Sequence, residues 1–351
     1  MKITKLIFKL LLLSLVFVSC SNDDIDSRLS LNILTNDILI SGQGSGAGSG
    51  SVSYVSADYN VVENNIYSRI NGEREFGIYL QSLAFSDTNA YIVVDNTNTI
   101  TVVNKTSFKE EGKITTGLSG PKFMTVVGNK GYVTNYGDGS SFVAVVDLLT
   151  NMVTSTIDVA SGPEQIIENN GKLYMTHTYS NAYVTVIDIA SQQVSTIDVD
   201  DNPDELFFNQ NNELVVLSQG GTLYDTTTWE VIGNTKGSIQ VIDVNTKMIT
   251  KRLDFTEDDK PDLLCEYDGE LYYYLNGGVY KLSYTDTTLP TTPIIEVSLS
   301  GMTIAKGELY GVDAGAYTSL SNFYTYDLSD NTLQGEILEV ALGATKIYFT
   351  E

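Results

Sequence analysis

The chain carries a single histidine, His177, and two cysteines, Cys20 and Cys265. A Ser-His-Asp relay or a multi-histidine metal site would have only that one imidazole to use. General acid–base chemistry would fall to carboxylates alone. Acids are plentiful, but Asp147, Asp188, Asp243 and Asp327 recur at one position, the end of a Val-x-Val-Ile-Asp-like segment. A carboxylate there is expected to accept backbone N–H groups of the following turn. Asp138 and Asp313 fall on loops and could offer oxygen ligands to a cation, yet no EF-hand spacing surrounds them. Gly42-x-Gly44-x-Gly46 is followed by no helix signal, so it is a Gly/Ser-rich loop and not a dinucleotide fingerprint. No phosphate-binding loop and no Cys-x-x-Cys pair occurs. Cys265, in Leu263-Leu264-Cys265, is expected to be a buried, inert thiol on an inner strand. No catalytic residue, metal or cofactor is therefore expected.

These residues sit on a repeat. Residues 120–160 read Gly120-Pro121, Phe123 to Val127, Asn129-Lys130-Gly131-Tyr132-Val133, Val143 to Asp147, then Val153 to Val159. Residues 162–200 repeat the pattern from Gly162-Pro163 through Asn170-Gly171-Lys172-Leu173-Tyr174 and Val184 to Asp188 to Val194 to Val199. Four short alternating runs in about 40 residues is the signature of a propeller blade. Further blades are expected at 76–118, 202–257, 260–299 and 301–340. Residues 36–67 supply three strands, Ile38-Leu39-Ile40, Val52 to Val55 and Val61 to Tyr67. Residues 343–349 supply the missing fourth. The expected fold is all-β, a seven-bladed propeller closed by the C-terminal strand joining the N-terminal blade.

With strands a to d counted outward from the axis, the a–b turns are tight and alike, such as Asn170-Gly171 and Asp268-Gly269. The b–c connections at Gly42–Gly50, Tyr136–Ser141, His177–Asn181, Gln219–Ser238 and Asp313–Asn322 are long and varied. They share one face, while the Thr/Pro-rich 284–293 lies on the other. Loops on a rigid scaffold are where binding concentrates. Tyr136, Asp138, His177, Tyr179, Trp229 and Tyr317 are thus the candidate ligand-binding residues, with Tyr and Trp offering contact area at low entropic cost.

The N-terminus carries an address. Lys2, Lys5 and Lys9 precede a short apolar run, Leu10–Val18, that ends at Ser19-Cys20. It is too short to span a bilayer and suits a secretory leader over 1–19. Phe17-Val18-Ser19-Cys20 resembles a lipobox, with Phe17 departing from the usual leucine, and implies lipidation of Cys20. Cys265 then has no disulfide partner within the chain. Residues 20–30, opening with Ser21-Asn22-Asp23-Asp24, form an acidic tether resembling a surface-export signal; 31–351 form the single propeller. The formal charge is −24 before the leader's lysines are removed. Nucleic acid and anionic lipid surfaces, which require basic patches, are excluded as partners.

The Gly-Pro, Gly-Lys-Leu-Tyr, Val-x-Val-Ile-Asp and Thr-Ile-Asp-Val pattern resembles YncE-like seven-bladed propellers over roughly 30–351. Together with the lipobox, it is similar to surface propeller lipoproteins of Bacteroidota type, some of which bind cobalamin. The resemblance implies a non-enzymatic lipoprotein anchored in the outer membrane and facing outward. It would capture a corrinoid-like small molecule for a TonB-dependent transporter. The alternatives are an adhesive scaffold for protein or glycan and, third, a propeller lyase or hydrolase.

Overall fold

Strand c of blade 3 shows how the blades stack. In Phe142–Asp147 the four central residues are all buried, because both sheet faces are covered. Period-two alternation sends Val143 and Val145 against blade 4 and Ala144 and Val146 against blade 2. The same logic, applied blade by blade, yields an apolar cluster at each of the seven blade interfaces.

A computed structural model describes residues 31–179 and 181–350; the leader, Cys20 and the tether lie outside the described residues. Seven four-stranded antiparallel sheets are present. Their inner strands are Ala344–Phe349 in blade 1, Leu80–Phe85, Pro121–Val127, Pro163–Asn169, Pro203–Phe208, Asp262–Tyr267 and Gly301–Ala305. Ring closure is as expected. Ala344–Phe349 pairs with Ile38–Gly42, joining Leu39 to Tyr348 and Ile40 to Ile347. Thr350 and Asp37 then latch the two chain ends, the Thr350 N–H donating to the Asp37 carbonyl at 3.0 Å. Closure pairs the inner edge of Ile38–Gly42, which would otherwise stand open.

The recurring aspartates do the expected turn work. Asp147 Oδ1 accepts the Leu149 and Thr150 N–H groups at 2.9 and 3.1 Å, and Asp188 and Asp243 act alike.

Three local expectations are corrected. The outer strand of blade 1 is only Val62–Glu63, and Tyr67 belongs to a short helix, Ile66–Ile70. Asn65, left-handed at φ 52°, breaks the strand, and the helix buries Ile66, Tyr67 and Ile70, with Tyr67 stacked on Phe76 at 4.1 Å. Cys265 does lie on an inner strand, but it is only partly buried and borders the axial cavity. Not every b–c connection is long, either: Asp95–Asn98 in blade 2 and Asn276-Gly277 in blade 6 are tight. Blade 5 inserts a hairpin of its own, Thr222–Tyr224 paired with Val231–Asn234.

Candidate functional site: the axial channel mouth

The Gly-Pro and Asn-Pro signals have a backbone cause. Gly120, Gly162 and Asn202 are all left-handed, at φ 58°, 69° and 54°, a conformation that glycine and asparagine tolerate best. At Gly162 a side chain would also collide, since a Cβ would lie 2.8 Å from Thr178 Oγ1 and from the Tyr179 ring. The proline that follows has no N–H for the ladder, and pairing slips just beyond it. The slips fall between Pro121 and Met124, Pro163 and Ile166, and Pro203 and Glu205, with another between Asp262 and Cys265. Bulges of this kind bend a strand and redirect side chains. In blade 6 the bulge holds Leu263 at φ 55°, its N–H donating to Asp262 Oδ1 at 2.8 Å.

The residue after each of these prolines, and after Pro261 in blade 6, is charged: Lys122, Glu164, Asp204 and Asp262. Strand a runs from the long-loop face to the tight-turn face, so all four charges stand at the long-loop end of the channel. Below them runs a cavity of about 700 Å³, lined by all seven inner strands. Gln165, Glu205 and Lys346 line its charged end; Gln210, Tyr267 and Asp268 lie at the other.

Two networks make up the mouth. In the first, Lys122 pairs with Asp95, and its Nζ lies 4.2 Å from the centre of the Tyr136 ring. The Tyr136 hydroxyl donates to Glu164 Oε1 and sits 3.2 Å from Thr178 Oγ1. Burial pushes the Glu164 carboxyl up to about 7, against the pull of Lys122 and Lys346 and with the help of Asp95. In the second, the carboxylate oxygens of Asp204, Glu205 and Asp262 lie within 4.8 Å of one another. Gln165 Nε2 donates to Glu205, and Gln219 Nε2 donates to Asp204 Oδ2 at 3.2 Å. Burial, and then the charges of Glu205 and Asp262, push Asp204 well above the carboxylate range. Burial works against the charge on Lys346, but Glu205, Asp204 and Asp262 raise its pKa overall. Burial, and then Glu205, push the Cys265 thiol far up, so it is no nucleophile near neutral pH.

The mouth thus offers more carboxyls than cations in a partly desolvated recess. It can hold a positively charged group, such as an organic ammonium or a divalent ion. Among the described residues, Asp204, Glu205 and Asp262 are the acids spaced to share a metal.

The residues expected from sequence are scattered. Tyr136 joins the mouth through Glu164 and Lys122, and Tyr179 lies beside it with ring centres 5.7 Å apart. Asp138 is exposed at its loop tip. His177 is not in a loop: it ends strand b of blade 4, Lys172–His177, and is fully buried. Its Nδ1–H donates to the Ser161 carbonyl at 3.0 Å, and Nε2 meets the Thr185 hydroxyl at 2.8 Å. Burial lowers its pKa, so the imidazole is neutral and committed to structure. Trp229 projects from the blade 5 hairpin, and Tyr317 lies on the 3-10 turn Gly315–Tyr317 against Gly343; neither lines the cavity. Sequence reasoning missed Lys122, Glu164, Asp204, Glu205, Asp262 and Lys346. Lys122, Glu164, Asp204 and Asp262 carried a signal, a charge just after the repeat's proline on a strand that must face the axis.

No curated protein matches the chain by sequence. Solved structures match its fold. The Pseudomonas aeruginosa periplasmic gluconolactonase PpgL superposes with a TM-score of 0.62 at 10% identity, over 90% of this chain and 99% of that one. Apo AztD from Citrobacter koseri gives 0.54 at 9% identity, over 90% and 97%. A Bacteroides caccae protein of unknown function gives 0.50 at 11% identity, over 90% and 98%. Likeness at these identities is likeness of fold alone. One family model, a domain of unknown function (DUF5074), matches residues 38–311, and the chain belongs to that family.

Proposed function

We propose that this propeller is a non-enzymatic capture protein that takes a ligand with a cationic group at the axial mouth of its long-loop face. One observation carries the reading. Asp204, Glu205 and Asp262 bring carboxylate oxygens within 4.8 Å of one another at the mouth, and burial together with the charges of Glu205 and Asp262 pushes Asp204 up, so a cationic group entering there would relieve the crowding of like charge. A channel end that served packing alone would hold small or apolar groups. Perturbed carboxyls in a recess mark functional sites more often than structural ones. Tyr136 and Tyr179 supply an aromatic wall beside it. Capture is favoured over turnover because the one imidazole is buried and already hydrogen-bonded on both nitrogens.

The same proposal places the protein on the outer membrane through lipid on Cys20. The described chain enters at the tight-turn face, where the Ile33 N–H donates to the Thr106 carbonyl at 2.9 Å. An anchor before that point leaves the long-loop face pointing outward. A corrinoid delivered to a TonB-dependent transporter is the ligand and partner that the resemblance to YncE-like surface lipoproteins implies, and it enters the test as one arm. Calorimetric titration of the purified chain with spermidine, Ca²⁺, a corrinoid, haem and a glycan panel tests the reading. We expect a binder whose affinity falls at least about tenfold in Glu205→Gln and Asp262→Asn. A binder indifferent to both variants would contradict it.

A further inference from the structure

The blade 5 hairpin is built for something outside the chain. Its strands, Thr222–Tyr224 and Val231–Asn234, form a sheet of two that extends no other sheet. Leu223, Tyr224, Trp229, Val231 and Ile232 are 44%, 51%, 76%, 62% and 66% exposed. An isolated two-stranded hairpin is marginal in water, and scattered single apolar residues are the norm on a surface. Five in ten residues of one uncovered hairpin is a concentration well above that norm. The turn is nonetheless well made. Asp225 Oδ1 accepts the N–H groups of Thr227 and Thr228, both at 2.8 Å, and the Trp229 N–H donates to the Asp225 carbonyl at 2.9 Å. Trp229 is left-handed there, at φ 60°, as Asn151, Gln192, Lys247 and Asn331 are at the same place in the Asp-led turns of other blades, so the turn geometry holds a tryptophan at an exposed tip.

Charge selects the occupant. Asp225 and Glu230 lie on the hairpin, while Asp201 and Glu257 border its base. Against them stand Lys236 and Arg252, and Arg252 is already paired with Asp200 and Asp254. A second copy of this chain, at a formal charge of −24, repels the patch, and so does an anionic lipid surface. We propose that the hairpin docks into a different protein, one that presents an apolar hollow for Trp229 and Ile232 inside a rim of lysine and arginine. Apolar anchors ringed by complementary charge are the usual anatomy of such contacts. This site is separate from the channel mouth and stands without it.

The test places a photo-cross-linking residue at Ile232 in the full chain, expressed in its own cells. The captured protein is then purified and its binding to the unmodified chain measured by surface plasmon resonance. We expect affinity to weaken as salt rises and to drop at least about thirtyfold in Trp229→Ala. Ile232→Ser should weaken it in the same sense, while thermal unfolding of both variants stays as in the wild type. Four results overturn the proposal: no cross-linked protein, or one that binds both variants as it binds the wild type; a hairpin-dependent dimer by sedimentation; or hairpin-dependent flotation with phosphatidylethanolamine–phosphatidylglycerol vesicles.

Discussion

Glu164 offers a sharp test of the electrostatics at the channel mouth. Its carboxyl is raised from 4.5 to about 7, chiefly by burial. Between those values the folded chain binds more protons at this site than the unfolded chain does. Stability must therefore fall as pH rises through that window, the reverse of the usual salt-bridged carboxylate. At about 1.36 kcal/mol per pH unit, the shift corresponds to roughly 3 kcal/mol lost between pH 4.5 and pH 8. Glu164→Gln mimics the protonated acid and cannot ionise. We expect it to match the wild type near pH 4 and to exceed it by roughly 3 kcal/mol at pH 8. Urea unfolding at both pH values, with midpoints compared at equal slope, measures the difference. Comparing wild type with variant cancels the other carboxyls, including Asp204, whose raised pKa acts in the same direction. A stability difference that stays flat between pH 4 and pH 8 would refute the burial assigned to Glu164.

Other expectations follow from the same geometry. Deleting residues 343–351 strips the inner strand from blade 1 and leaves the inner edge of Ile38–Gly42 unpaired; calorimetry should show loss of the cooperative transition. His177→Ala leaves Ser161 and Thr185 without their buried partner and opens a void, so unfolding should cost about 2–4 kcal/mol less, with ligand capture unchanged. The proposed lipid anchor on Cys20 predicts that Cys20→Ser moves the protein from the membrane to the soluble fraction, and the proposed surface location predicts that protease applied to intact cells degrades the wild type.

The blades were legible because their signals are local. Strand alternation, Asn-Gly turns and the terminal aspartates of strand c each act within about ten residues, and ring closure followed from counting strands. Val61–Tyr67 misled because a short apolar run suits strand or helix equally; only the left-handed Asn65 decides it. The site was harder for a different reason. Lys122, Glu164, Asp204 and Asp262 lie about 40 to 60 residues apart and meet only once the ring has closed. In sequence they look like polar strand starters after proline. His177 looked like a loop residue because Thr178 to Asn181 follow it, whereas its strand pairs as far as Pro163. Aromatic side chains drew attention to the loops, yet only Tyr136 and Tyr179 reach the mouth, because theirs are loops of adjacent blades 3 and 4.

Native mass spectrometry of the protein purified from its own cells tests the central claim most directly. Wild type is compared with a Glu205→Gln, Asp262→Asn double variant of unchanged melting temperature. The axial-mouth account predicts a retained small molecule or ion on the wild type that is absent from the double variant. A wild type that retains nothing, or a double variant that carries the same added mass, would contradict it.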